Sequence, residues 1–251
     1  PLAPEQTELV ESAGRWAAAP VVARRTQPAA DLSVMDGYAI RFADMPGPWQ
    51  VVGESRAGRG HPGLVGAGEA VRIFTGAPLP SGADTVLVQE EARREGARLH
   101  PAGEGPPQHG AHVRTRGSDF GEGARLIAAG ERLTPARIAL AAIGGHGTLP
   151  VRRRPRVSLI STGDELAAPG APVEGVMLPA SNAAMLHAMI AERAVVRDLG
   201  IVADRLEALT DAFASADADV IVTTGGASVG DHDLVRPALE RAGATLDFWR
   251  V

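Results

Sequence analysis

Two turns in this chain carry the residue types that phosphate chemistry needs. Ser161-Thr162-Gly163-Asp164-Glu165 follows the apolar run Arg156-Val157-Ser158-Leu159-Ile160, and Gly225-Gly226-Ala227-Ser228-Val229-Gly230 follows Val220-Ile221-Val222-Thr223-Thr224. Glycine lets the backbone approach a ligand, free N–H groups and Ser or Thr hydroxyls donate to phosphate oxygens, and carboxylates hold a cation or a proton. Asp164, Glu165, Asp204, Asp231 and Asp233 all fall in or beside such loops. Carboxylates repel phosphate unless a cation lies between them, so the set points to a magnesium site or an acid/base pair. Magnesium keeps several waters and takes one or two carboxylates, so not every acid is needed as a ligand. Taken singly, Asp164, Glu165 and Asp233 also suit helix N-termini as caps. Their convergence with two glycine turns favours chemistry.

The elements that must position these residues follow from the hydrophobic pattern. From residue 156 the chain reads strand (156–160), helix (182–193), strand (195–200), helix (205–214), strand (219–224), helix (233–242) and strand (245–249). Strands alternating with helices predict a parallel sheet with right-handed crossovers and ligands beyond the carboxyl ends of the strands. That brings loops 161–166, 201–204 and 225–233 to one edge. Upstream, residues 31–116 break into short strands such as Trp49–Val52, Ala70–Phe74 and Thr85–Val88, separated by Gly, Pro and Ser clusters, which predicts an antiparallel β module. Apolar spacing at Leu9, Val10, Ala13, Trp16 and Ala17 predicts a helix over residues 4–19. Thr134-Pro135 predicts a helix N-terminus, with Gly144-Gly145 closing it. Arg152-Arg153-Arg154-Pro155 reads as a junction rather than a phosphate site. The fold class is therefore multidomain α/β plus β.

Composition narrows the possible functions. The 251 residues carry 45% apolar and 22% charged side chains, enough for a core and for one or two domains. Only 4% are aromatic, so that core is built mainly from Ala, Val, Leu and Ile. All 25 basic residues are arginine, which leaves no lysine as nucleophile or phosphate ligand. Net charge is −5 with the signs interspersed, which argues against a nucleic-acid surface. The lack of cysteine excludes disulfides and thiolate sites and suits the cytoplasm. No apolar run approaches the roughly 20 residues of a membrane span. His109 and His112 read as surface histidines, and the neighbouring side chains of Asp231-His232-Asp233 point apart, so at most one of them acts.

Further segments carry a family likeness. Ser33-Val34-Met35-Asp36-Gly37-Tyr38-Ala39 and Arg72-Ile73-Phe74-Thr75-Gly76-Ala77-Pro78, continuing to Gly82-Ala83-Asp84, resemble the signatures of the molybdopterin molybdenumtransferases of the MoeA type, related to the E domain of gephyrin. Matches continue in family order through Val113-Arg114, Gly117-Ser118-Asp119, the Ser-Thr-Gly-Asp-Glu turn, Ser181-Asn182, Leu199-Gly200-Ile201 and the second glycine loop to Asp233. The resemblance implies that adenylylated molybdopterin and molybdate are converted to the molybdenum cofactor, with release of AMP and a requirement for magnesium. Carried over residue by residue, it implies Asp36, Asp119, Glu165, Asp204 and Asp233 as catalytic acids. It also implies Thr75, Gly76, Ser161, Thr162, Gly163, Asp164, Ser181, Asn182, Gly225, Gly226, Ser228 and Gly230 around the pterin phosphate, and it leaves the magnesium ligand unassigned.

The same resemblance implies three parts: a discontinuous linker and dimerisation domain (1–30 and 117–153), the inserted β module (31–116) and a molybdopterin-binding α/β domain (154–251). It further implies a homodimer with Asp36 acting across the subunit interface, and a molybdopterin adenylyltransferase as upstream partner. The family pattern runs on from Thr245-Leu246-Asp247-Phe248-Trp249 into a lysine-bearing segment and a C-terminal β domain, neither of which is matched within the 251 residues. Pro179-Ala180 stands where many members have Tyr-Asp, and Ala183 and Ala203 stand where arginines are frequent, which predicts weaker phosphate affinity. Two other readings compete: a non-catalytic relative or scaffold that keeps the dimer fold, and an adenylyltransferase of the related molybdopterin-binding type. The scaffold has no use for five retained acids, and the adenylyltransferase does not account for Asp36 or the β module.

Overall fold

A computed structural model describes residues 2–172, 175–225, 234–245 and 247. The chain divides into two compact units. The β unit comprises Thr7–Ala13 and Ala19–Leu149, and the α/β unit comprises Pro1–Gln6, Gly14–Ala18 and Pro150–Val251.

The β unit is organised by a six-stranded sheet of β1 (Gly37–Ile40), β2 (Trp49–Ser55), β3 (Glu69–Ile73), β4 (Thr85–Val88), β5 (Ala92–Glu95) and β6 (Arg98–Pro101), in the order β4-β1-β3-β2-β6-β5. Period-two alternation sends side chains to opposite faces. On one face Tyr38, Ile40, Trp49, Ala70, Leu87 and Leu99 pack together; on the other, Ala39, Val65, Val71, Ile73, Ala77 and Val86 do. The sheet is mixed rather than antiparallel, because β2 and β3 run parallel while the other pairings are antiparallel. Residues 56–68 make this possible: a connection of that length carries the chain back over a face of the sheet, where Val65 packs, as a two-residue hairpin cannot. The predicted helix start holds: α1 (Pro135–Ile143) begins at Thr134, whose hydroxyl accepts from the Arg137 N–H at 3.3 Å.

The predicted helix over residues 4–19 does not form. Pro4–Glu8 is extended, Val10–Ser12 makes one 3-10 turn, and Gly14 at φ +75° leaves the helical region. Val10 and Trp16, expected on a buried stripe, are 81% and 54% exposed, so the spacing had no core to face. Ala17 instead bridges Val151 within the α/β unit.

The α/β unit holds a parallel sheet with β7 (Arg156–Thr162) between β8 (Val195–Val202) and β9 (Val220–Thr224). The crossovers run through α2 (Ser181–Ile190) and α3 (Leu206–Ser215), and α4 (Val235–Arg241) follows β9. Strand β7 is buried on both faces, as expected of a central parallel strand. Val157 and Leu159 pack with Ala194 and with Leu186 and Ile190 of α2, whereas Ile160 packs with Leu209, Phe213, Val235 and Ala238 of α3 and α4. Burying a side chain such as Leu159 stabilises by roughly 1.5–3 kcal/mol. The strand expected at 245–249 falls largely outside the described residues.

Candidate functional site

Parallel pairing aligns the carboxyl ends of the three strands of the α/β unit. Ser161 lies opposite Thr224 on β9 and Ile201 on β8, and Thr162 lies opposite Val202. The Thr224 hydroxyl donates to Ser161 Oγ at 3.2 Å. Next along the chain, the Thr162 hydroxyl donates to Asp204 Oδ1, and the Asp204 N–H donates to Asp164 Oδ1 at 3.1 Å. Thr162, Asp204 and Asp164 are thereby linked in series. Ser161 and Thr162 are buried, while Asp164, Glu165 and Asp204 are exposed or half-exposed, so hydroxyls form the floor and carboxylates the rim.

The two glycines described at this edge are required for different reasons. Gly163 has φ +147°, and a Cβ there would meet the Glu165 carboxylate at 2.6 Å, because Glu165 folds back over its own turn. Gly225 has φ +111°, and a Cβ there would meet the Thr162 carbonyl oxygen at 2.5 Å. Only glycine permits that close approach of backbone to backbone. Ser181 and Asn182 open α2, which is tied to the acid turn through the parallel pairs Leu166–Leu178 and Ala167–Pro179. The Leu178 N–H also donates to the Glu165 carbonyl at 2.8 Å. Gly226, Ser228, Gly230, Asp231 and Asp233 lie outside the described residues.

The β unit brings Asp36 and Thr75 together. Asp36 precedes β1 and Thr75 follows β3, and the antiparallel register of Gly37 with Ile73 places them side by side. Asp36 Oδ1 accepts from the Thr75 N–H and from its hydroxyl, both at 2.8 Å. Gly76, at φ +78°, turns the chain and donates its N–H to the Ser33 carbonyl at 2.8 Å. The Thr75 N–H, then its hydroxyl, then the positive field of Arg72 hold the Asp36 carboxyl below its ordinary value, against the opposing effect of burial. Asp36 is therefore an ionised acceptor at neutral pH.

Asp119, also in the β unit, is engaged by Arg114, whose Nη2 reaches both carboxylate oxygens at 2.6 and 2.7 Å. Arg114 and Arg72 are site-supporting residues that charge patterning did not single out; their signal was position inside the matched motifs. The arginine run before β7 is structural, as expected of a junction. Arg153 donates both terminal nitrogens to Asp219 at 2.6 Å, Arg152 donates to the Leu2 carbonyl at 2.9 Å, and the Arg156 N–H donates to Asp219 at 2.8 Å. His109 is 71% exposed, with Asp84 at 3.5 Å, and among the described residues no group of three or more His, Cys, Asp or Glu is placed to hold a metal.

A parallel α/β sheet with a hydroxyl floor and a carboxylate rim is joined in sequence to a mixed β unit bearing an Asp–Thr pair. Comparison with known proteins gives the family. Residues 1–145 match the MoeA N-terminal region (domains I and II), and residues 158–251 match a probable molybdopterin binding domain. The chain belongs to the MoeA family. It is 37% identical over 96% of its length to a molybdopterin molybdenumtransferase of Nostoc sp., covering 58% of that protein, and 34% identical over 98% of its length to the Bacillus subtilis enzyme of the same name, covering 60%. A crystal structure of a molybdopterin biosynthesis MoeA protein from Pyrococcus superposes with a TM-score of 0.83 at 31% identity, covering 95% of this chain and 62% of that one. The chain thus spans about 60% of the length of the curated relatives it matches.

Proposed function

We propose that this protein acts in molybdenum cofactor biosynthesis, converting adenylylated molybdopterin and molybdate to the molybdenum cofactor with release of AMP. The observation that carries this reading is the linked series Thr162–Asp204–Asp164 at the carboxyl edge of a parallel sheet, within a chain of the MoeA family. Ser161, Thr162, Gly163, Ser181, Asn182, Gly225, Gly226, Ser228 and Gly230 would cradle the pterin phosphate with hydroxyls and backbone N–H groups. Asp204 and Glu165 would hold or move the proton released when the phosphoanhydride opens, with Asp119 and Asp233 as further acids.

Asp36, held ionised by Thr75, would serve as an acceptor from the opposite side of the ligand. In this reading that side is supplied by a second subunit, so the active unit is a homodimer of cytoplasmic protein fed by an adenylyltransferase. The three-part division into a linker domain, a β module and an α/β domain belongs to the same proposal. Magnesium fits the residues at the sheet edge: Asp164 and Asp204 offer hard oxygen donors in adjacent loops, and this ion needs only one or two carboxylates beside phosphate and water. When bound, it would offset phosphate charge at the bond that opens.

The test is incubation of the full-length protein with adenylylated molybdopterin, molybdate and magnesium, with AMP followed by chromatography. Stoichiometric AMP and cofactor support the reading. A folded protein that binds the pterin but releases no AMP overturns it in favour of a scaffold.

A further inference from the structure

We propose that Arg72 is the positioning residue of the Asp36–Thr75 pair, and that the shape of its guanidinium, not its charge alone, holds the pair in place. This rests on the reading that Asp36 acts on the substrate. Arg72 lies in β3, three residues before Thr75. Its Nη1 donates to the Gly37 carbonyl at 2.8 Å, and its Nη2 donates to Gln89 Oε1 at 2.7 Å. Gly37 is the residue after Asp36, and the Gln89 N–H in turn donates to the Asp36 carbonyl at 3.0 Å. One side chain therefore ties together the three backbone segments that surround the Asp36 carboxylate: the start of β1, the segment after β4, and the segment leaving β3.

The guanidinium also has two aromatic neighbours. Its central carbon lies 4.7 Å from the centre of the Phe74 ring and 5.2 Å from that of Tyr38, both within cation–π range. A guanidinium can present a face to an aromatic ring while donating in its own plane to two separate acceptors; an ammonium cannot. Gly37 removes any slack, since a side chain there would collide with the Leu87 carbonyl oxygen across the β1–β4 pair. The other charged groups nearby are Glu54 of β2, opposite Arg72 in register and paired with Arg56, and Glu90, which accepts from the Gln89 amide. These acids have their own partners, which leaves Arg72 as the cation acting on Asp36.

The experiment compares the full chain with its Arg72→Lys, Arg72→Met and Gln89→Leu variants. Aspartate carboxyl carbons and threonine amides are labelled for NMR, Asp36 is assigned by the signal lost in Asp36→Asn, and AMP release is measured in parallel. Arg72→Lys is expected to keep the positive charge yet shift the Thr75 amide signal, with kcat falling about tenfold or more and KM nearly unchanged, as for a misplaced catalytic group. Arg72→Met is expected to do the same and also to raise the titration midpoint of Asp36. Full restoration of both signals and of kcat by lysine overturns the shape requirement. An unmoved Thr75 amide in folded Arg72→Met overturns the proposal outright. Should Arg72→Met fail to fold, Gln89→Leu decides: it cuts one anchor and leaves Arg72 in place, and an unchanged Thr75 amide counts against the proposal. The signals move whether or not the protein turns over substrate, so their movement in a protein that releases no AMP overturns the functional reading alone.

Discussion

The carboxylate of Asp36 takes both hydrogen bonds of Thr75, from the N–H and from the hydroxyl, on the single oxygen Oδ1 at 2.8 Å each. Doubling both donors on one oxygen fixes the direction of the carboxylate plane, and among the described residues no hydrogen bond engages Oδ2. Thr75→Val removes the hydroxyl and keeps the N–H donor. Its expected effect is about a tenfold loss of AMP release, against about a hundredfold or more for Asp36→Asn, the size usual for a lost acid/base group. Steady-state kinetics of the two variants checks the order.

The same two bonds set a pH dependence. Thr75, with a smaller contribution from Arg72, holds the Asp36 carboxyl below its ordinary value. A group whose folded value is depressed stabilises the fold above its unfolded value, and that contribution disappears as pH falls through the folded value. Turnover is therefore expected to keep Asp36 ionised down to the acid side of the ordinary carboxylate range. Thr75→Val is expected to move that acid limb upward in pH. A pH–rate profile in which the variant and the parent coincide would falsify the assignment.

Gly163 and Gly225 share a positive φ that strains any substitution, but the obstacle a side chain meets differs between them. At Gly225 a methyl group meets the Thr162 carbonyl, which is backbone and cannot yield, so Gly225→Ala is expected to cost about 1–3 kcal/mol of stability. At Gly163 the obstacle is the Glu165 carboxylate, the movable end of a side chain. Gly163→Ala is therefore expected to carry the backbone strain of φ +147° and, in addition, to displace Glu165 and lower the rate per folded molecule. Paired urea melts and rate measurements on the two variants separate the cases.

Thr162 and Asp204 are coupled by a hydroxyl–carboxylate bond, and Thr162 is 5% exposed. Thr162→Val and Asp204→Asn should be non-additive, with an interaction energy of about 1 kcal/mol in a double-mutant cycle read by denaturant unfolding.

Asp219 provides a control away from the chemistry. The bidentate Arg153, and then the Arg156 N–H, drive its carboxyl far below the ordinary range. The resulting stability is present above the unfolded value of 3.8 and is lost as pH falls below it. Asp219→Asn is expected to lower the thermal midpoint at neutral pH, to flatten its fall in acid, and to leave the rate per folded molecule unchanged. Differential scanning calorimetry from neutral to acid pH measures this.

Much of the α/β unit was legible in the residues. A β-branched run ending in Ser-Thr-Gly specified β7 and its turn, and strict alternation with helices specified parallel neighbours. The meeting of loops 161–166 and 201–204 at one edge followed from that topology, whereas the Thr162–Asp204 hydrogen bond did not. Pairing direction inside the β unit was not legible, because a run such as Trp49–Val52 alternates identically in either direction, and only the length of the 56–68 connection permits a parallel partner. Local spacing also misread residues 4–19, where Val10 and Trp16 face solvent and the buried Ala17 pairs with Val151 in extended backbone. Arg72 was hidden for another reason. Its importance lies in what its two edges and two aromatic neighbours tie together, and no linear spacing encodes a group that links three separate segments.

The Arg153–Asp219 clamp grips β7 and β9 where those strands enter the sheet, while Ser161, Thr162 and Thr224 occupy the ends where they leave it. The ion pair and the hydroxyl cluster thus lie at opposite ends of the same strands. In hydrogen exchange, amides near Val157 should open only with the whole unit, whereas those near Asp204 should open in smaller steps.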